Sequence, residues 1–299
     1  MKTLFSLIKR NTKLFFKDKG MFFTSLITPC ILLVLYATFL GNVYRDSFTM
    51  NLPEGVSIPE KLLNGAVSGQ LISSILAVSC ITVAFCSNML MVQDKANGSI
   101  KDLTTAPVKG QTLALGYYVS TLISTLLICY AATAVCLIYT AFSGWYMSAA
   151  DVILLLTDVF LLVMFGTALS SIINFFLSTQ GQISAVGTII SSGYGFICGA
   201  YMPISQFPEG LQKVISFLPG TYGTVLIKNT SMRGVFAEME AEGIPAFIIE
   251  EMKDAIDCNL YFFGNRVPMG GMYAVVCGTV ALLIAIYVFM NVLKKTNQK

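Results

Sequence analysis

The sequence predicts an all-α membrane protein with six transmembrane helices. Three observations carry that fold class. Of 299 residues, 55% are hydrophobic and only 12% are charged, about half the charge of a soluble domain. The mean hydropathy is +0.73. The apolar residues fall into long charge-free blocks, each near the roughly 20 residues that cross a bilayer core as a helix.

The first block, Gly20–Leu40, is too long for a signal-peptide core and lacks a clear small-residue cleavage site, so it reads as a span. The second span is Ala66–Val92. The charge-free interval Gly110–Ala150 exceeds one helix, which places the third span at Leu113–Phe142 and an interfacial exit at Gly144-Trp145-Tyr146. The fourth runs Val152–Leu177, the fifth Ile183–Met202 and the sixth Met272–Leu293. The whole, 1–299, reads as a single transmembrane domain.

Lys and Arg give the orientation. Lys2, Lys9, Arg10, Lys13, Lys17 and Lys19 face one acid, Asp18, at the N-terminus. Lys294, Lys295 and Lys299 close the C-terminus, and Lys95, Lys101 and Lys109 lie between the second and third spans. Six spans put all three clusters on one side, cytoplasmic by the positive-inside rule. Both termini are then cytoplasmic. The segment 203–271, with five basic and eight acidic residues, falls outside. Residues 1–18 are too polar to span. On a helical wheel their cations fill one arc and Leu4, Phe5, Leu7, Ile8, Leu14, Phe15 and Phe16 the other, as in a helix lying in the inner interface.

Four segments carry candidate function. In the loop Gln93–Gln111, Gly98 and Ser99 break one helix and cap the next. Ser99–Thr105 makes a short helix that Pro107 closes. Ile100 and Leu103, three apart, share a face. Such a helix suits docking to a partner, and an ordinary solvated connector fits equally. The second span carries Gln70, Ser73, Ser74, Ala77, Ala84 and Asn88 at three- and four-residue steps, a polar small face for a cavity or a helix interface. Asp158 is the one ionisable residue well inside a span, only about 9 Å from its outer end at 1.5 Å rise per residue.

The fifth span bears the small-residue stripe Gly187, Ser191, Gly195, Gly199, then Pro203, Pro208 and Pro219-Gly-Thr-Tyr222. The stripe allows close helix approach, within the chain or to a second one. The prolines predict a broken or re-entrant segment at the membrane edge. Pro208-Glu-Gly-Leu211 starts an amphipathic helix there. Residues 227–268 are more polar. Phe247, Ile248, Met252 and Ile256 predict a second amphipathic helix in a small outer cap.

Composition excludes some chemistry. The chain has no histidine, which removes His-based acid–base catalysis and His-ligated metal. It has no P-loop motif for ATP phosphates. Eight cysteines, seven of them in apolar runs and none in a C-x-x-C, read as packing residues rather than metal or redox groups. No catalytic residue, no metal ligand and no nucleic-acid surface is expected.

The pattern resembles the membrane subunit of ABC transporters of the second export type. The loop has Asp94, Gly98-Ser99, Ile100, Leu103 and Ala106-Pro107-Val108. It is similar to the family's acidic residue, Gly-Thr, apolar pair and Thr-Pro-Val, with Asn97 and Lys101 where acids are usual. Ser192-Gly193, Gly199, Pro203, Pro208, Leu211 and Pro219-x-Thr-Tyr222 resemble its second motif. The lack of targeting features suits a bacterial plasma membrane, and the resemblance implies an exporter. Its loop would be a cytoplasmic coupling helix, and Pro203–Tyr222 an external gate. It implies two cytoplasmic ATPase subunits that hold ATP and Mg, a second permease chain, identical or related, and surrounding lipid. This chain would need no cofactor. The long segment 227–268 resembles exporters of drugs, antimicrobial peptides or lipids. A secondary transporter, or an immunity or sensor protein that binds a ligand with its outer cap, are the alternatives.

Overall fold

The computed structural model describes residues 2–49, 58–105 and 108–296. Helix α1 (Lys2–Lys17) has the amphipathic form the wheel predicts. It buries Leu7, Asn11 and Phe15 and lies along the later helix α7 (Gly110–Ser143), with Leu7 against Gly116. Asp18 ends it and caps α2 (Lys19–Leu35), accepting from the Met21 N–H at 3.1 Å. A π-helical turn (Tyr36–Leu40) leads into α3 (Gly41–Thr49).

At the centre stands α4 (Glu60–Ser87). It starts six residues before the predicted span and is continued by α5 (Met89–Ala96) after a break at Asn88. The combined run Glu60–Ala96 is the most enclosed apolar helix of the bundle, with α2, α7 and the later helices α8 (Ala149–Phe176), α9 (Gln180–Ile197) and α11 (Pro219–Ala241) packed around it. Gly65, Ala66, Gly69, Ser73, Ser74 and Ala77 keep its surface small, so neighbours approach closely. Then follow α6 (Ser99–Thr105), α7 (Gly110–Ser143) and α8 (Ala149–Phe176). A Ser148/Asp151 capping box opens α8, and a Thr179/Gln182 box opens α9 (Gln180–Ile197). The last described helix is α13 (Met269–Thr296), little of which is buried.

Among the described residues, five helical runs are long and apolar enough to cross a membrane: Lys19–Asp46, Glu60–Ala96, Gly110–Ser143, Ala149–Phe176 and Met269–Leu293. The predicted fifth span is a helix, α9, but it falls short of that measure. Gln180 and Gln182 open it, and glycine and serine dilute the rest.

Between α9 and α13 lie a 3-10 turn (Ile204–Gln206), α10 (Glu209–Ser216), α11 (Pro219–Ala241), α12 (Ala246–Ala255) and a hairpin of β1 (Tyr261–Phe262) with β2 (Asn265–Arg266). The hairpin strands are antiparallel, with Tyr261 opposite Arg266. Here the structure departs from the sequence reading. The polar stretch from Ile227 onward is not all cap. Its first part completes α11, a 23-residue helix buried against α4, α8 and α13. The predicted second amphipathic helix is α12, which buries Ile248 and Met252 and leaves Phe247 exposed.

Candidate functional site

The loop candidates gather at the end of the bundle that carries α1. Gly98 takes φ +78°, the left-handed conformation that closes a helix, and α6 begins at Ser99 as the spacing predicts. Ile100 and Leu103 do share a face. That face leans on the chain's own apolar cluster of Leu7, Met91, Leu113 and Tyr117. Lys101, Asp102 and Thr105 of α6 are exposed to solvent. Pro107 lies outside the described residues.

Asp94 is buried and holds three elements together. Arg10 of α1 donates to both its oxygens, at 2.9 and 3.1 Å, and the Tyr117 hydroxyl of α7 donates at 2.6 Å. The hydrogen bonds to Asp94 raise the Arg10 pKa above its ordinary value, against a smaller opposing effect of burial. The adjacent Lys95 donates to the carbonyls of Asn174, Phe175 and Leu177 at 2.7, 2.7 and 2.9 Å. It thereby caps the C-terminus of α8, where a cation is favoured. Sequence reasoning singled out Asp94 and missed Arg10, Lys95 and Tyr117. No spacing rule links residues 84 positions apart. The only signal was the unmatched acid beside a basic N-terminal helix.

The polar face of α4 is interior. Ser74 Oγ donates to the Ala200 carbonyl at 2.6 Å and meets the Tyr36 hydroxyl at 3.0 Å. Asn88 donates to Ser170 and Ser171, both at 3.0 Å, and accepts from Thr121 at 3.4 Å. These bonds join α4 and the break at Asn88 to the π-helical turn, α7, α8 and the turn after α9. Gln70 differs: it is 1% exposed, yet neither its amide nitrogen nor its oxygen has a partner among the described residues.

The stripe of α9 turns toward α4 and α5. Gly187 faces the Met89 side chain, Ser191 is half-buried, and the Tyr201 ring covers Gly195. Gly199 takes φ +72° and turns the chain out of the helix. Each proline after it begins an element: Pro203 the 3-10 turn, Pro208 α10 and Pro219 α11. Leu211 and Val214 are exposed on α10, as are Phe217 and Leu218 just after it, while Ile215 is buried. Tyr222 is buried and donates to the Ser216 carbonyl at 2.7 Å.

Two buried charges brace this end. Lys228, 1% exposed, donates to the Gly199 and Ile256 carbonyls, both at 2.8 Å, and lies 3.6 Å from Asp257. Asp257 accepts from the Ile204 N–H at 2.6 Å. Burial pushes its carboxyl up, and Lys228 and that N–H oppose the shift. Lys228 was read from sequence as one more outer charge. The Asp158 carboxylate accepts from Thr230 and Tyr273, both at 2.6 Å, and so ties α8 to α11 and α13. All eight cysteines are free, and burial raises the Cys258 thiol to about 12, which suits a packing residue.

The sequence model of the ABC-2 type transporter family matches residues 2–230. No curated protein gives a significant match. The match takes in α1, the loop around α6, the stripe of α9 and the proline segment up to Lys228.

Proposed function

The chain belongs to the ABC-2 type transporter family and is the permease subunit of an ABC transporter, and from that footing we propose that it exports an amphiphilic substrate driven by ATP hydrolysed on separate ATPase chains. Two ATPase subunits, holding ATP and Mg, would engage the loop Gln93–Gln111 in the cytoplasm. A second permease, identical or related, would complete the pathway. Gly187, Ser191, Gly195 and Gly199 with Gln70, Ser74 and Asn88 would form the helix surfaces that rearrange. Pro203, Pro208, Leu211, Pro219 and Tyr222 would form the external gate. The setting would be a bacterial plasma membrane with both termini inside. The substrate class, a drug, antimicrobial peptide or lipid, is inferred from the apolar helices and the capped outer end.

The observation that carries the coupling step is the pair Asp94 and Lys95. Adjacent in sequence at the end of α5, they fasten that end, just before α6, to α1, α7 and α8 at once. A push on α6 is therefore transmitted as rigid-body motion of packed helices rather than absorbed by a slack loop. Ile100 and Leu103 anchor α6 to the bundle, and the Lys101, Asp102 and Thr105 side meets the ATPase.

The test is to purify the chain with its partner ABC ATPase. Thr105→Cys is expected to cross-link to a cysteine placed in the ATPase groove. Leu103→Asp and Pro107→Gly are expected to lower substrate-stimulated ATPase activity about tenfold, roughly 1.4 kcal/mol of coupling, with the subunits still associated or partly released. Full assembly and full stimulation in both variants would remove the docking assignment.

A further inference from the structure

A cavity of about 530 Å³ opens at the end of the bundle opposite α1. Its walls come from three elements: α3 with Tyr44 and Phe48, the turn after α9 with Tyr201 and Met202, and α12 with Glu251 and Met252. The volume lies in the ~300–1,000 Å³ range of small-molecule sites, which are apolar with few polar groups. The π-helical turn reaches the rim through Leu40. Such turns are rare and gather at functional sites. Met202 and Met252 supply adaptable thioether walls.

Among the described residues that line this cavity, the one charged group is the Glu251 carboxylate. Nearby acids are engaged elsewhere. Glu250 accepts from Lys253, Asn259 and Arg266, and Asp254 accepts from Asn259 and Tyr261. Glu251 is exposed at the cavity and makes no hydrogen bond or ion pair among the described residues. The neighbouring cations are matched. Lys228 reaches the Ile256 carbonyl but sits beside Asp257, and Arg45 of α3 faces Glu60 at 3.4 Å. No group of three or more potential metal ligands occurs among the described residues.

We propose that this cavity binds a lipophilic organic cation of drug size, with its charge at the Glu251 carboxylate and its apolar body among Tyr44, Phe48, Tyr201 and Met252. The apolar walls gain from the displaced water. The aromatic rings and the carboxylate both favour positive charge. An anion of the same shape meets like charge and is rejected. The proposal concerns binding only, so its failure leaves the permease reading untouched.

The test uses the full chain in lipid nanodiscs, without ATPase. Radiolabelled tetraphenylphosphonium is titrated by equilibrium dialysis, with empty nanodiscs subtracted and tetraphenylborate as the shape-matched anion. One saturable site is expected for the cation. Glu251→Gln is expected to weaken it roughly fivefold, the scale of one exposed charge pair. Met252→Trp, which fills the cavity, abolishes it. Glu251→Arg abolishes cation binding and admits the anion. Because Glu251 is exposed, both of its variants keep the parent's thermal midpoint, which separates lost binding from lost folding. The proposal is overturned by absence of saturable binding above empty nanodiscs, by equal binding of cation and anion to the parent chain, or by unchanged cation binding in the Glu251→Arg and Met252→Trp variants.

Discussion

The Lys228 ammonium is closed off from solvent, with Asp257 and two backbone carbonyls as its surroundings. Removing one member of a buried ion pair costs about 3–5 kcal/mol, because the other charge stays buried without compensation. Lys228→Met is therefore expected to lower the thermal midpoint of the detergent-solubilised chain sharply. The double variant Lys228→Met with Asp257→Asn is expected to recover part of the loss. Gln70 tests the opposite case. Its buried amide has no partner among the described residues, and an unpaired buried polar group costs about 1–3 kcal/mol. If the group is kept for the pathway, Gln70→Leu raises thermal stability and lowers transport. A variant that loses both would make Gln70 a structural residue.

At the scale of elements, the junction of α9 with the proline segment turns on Gly199. Its φ of +72° disfavours any residue with a Cβ, and the added carbon would lie 2.9 Å from the Ile204 side chain. Gly199→Ala is expected to cost about 1–2 kcal/mol, read as a lower thermal midpoint. The cap hairpin depends on Glu250, which meets Lys253 on its own helix and Arg266 on β2. Burial works to raise its carboxyl, but Lys253 and Arg266 outweigh it and hold the group below its usual range. The contribution is present above the unfolded carboxyl pKa of about 4.3 and is lost as the pH falls through the lower folded value. Glu250→Ala is expected to speed hydrogen exchange across residues 259–267 at neutral pH while leaving α11 protected. Much of this was legible in the sequence. Charge-free runs marked the five long apolar helices, the wheel of 1–18 marked α1, and Gly98 and Ser99 marked α6. The burial of α11 was not, because Lys228, Asn229 and Arg233 look solvated to any local rule. They are satisfied by Gly199, Ile256, Cys258 and Asp151, residues distant in the chain. The cation site was equally hidden. Its six named walls come from three elements that only the fold brings together.

The whole molecule has two differently built ends. One end fastens α1, α5, α7 and α8 through Arg10, Asp94, Lys95 and Tyr117. The other fastens α9, α11 and the cap through Gly199, Lys228 and Asp257. Between them runs the enclosed helix α4, which touches both. Under the coupling proposed above, force applied at α6 would reach the opposite end through these packed helices. The most direct measurement is transport of a fluorescent amphiphile in proteoliposomes that hold the chain with its ATPase. The account predicts transport that requires ATP, survives an uncoupler, and falls about tenfold, roughly 1.4 kcal/mol, in both Asp94→Ala and Leu103→Asp with the complex still assembled. Transport that proceeds without ATP and collapses with the uncoupler, or parental rates in both variants, would contradict it.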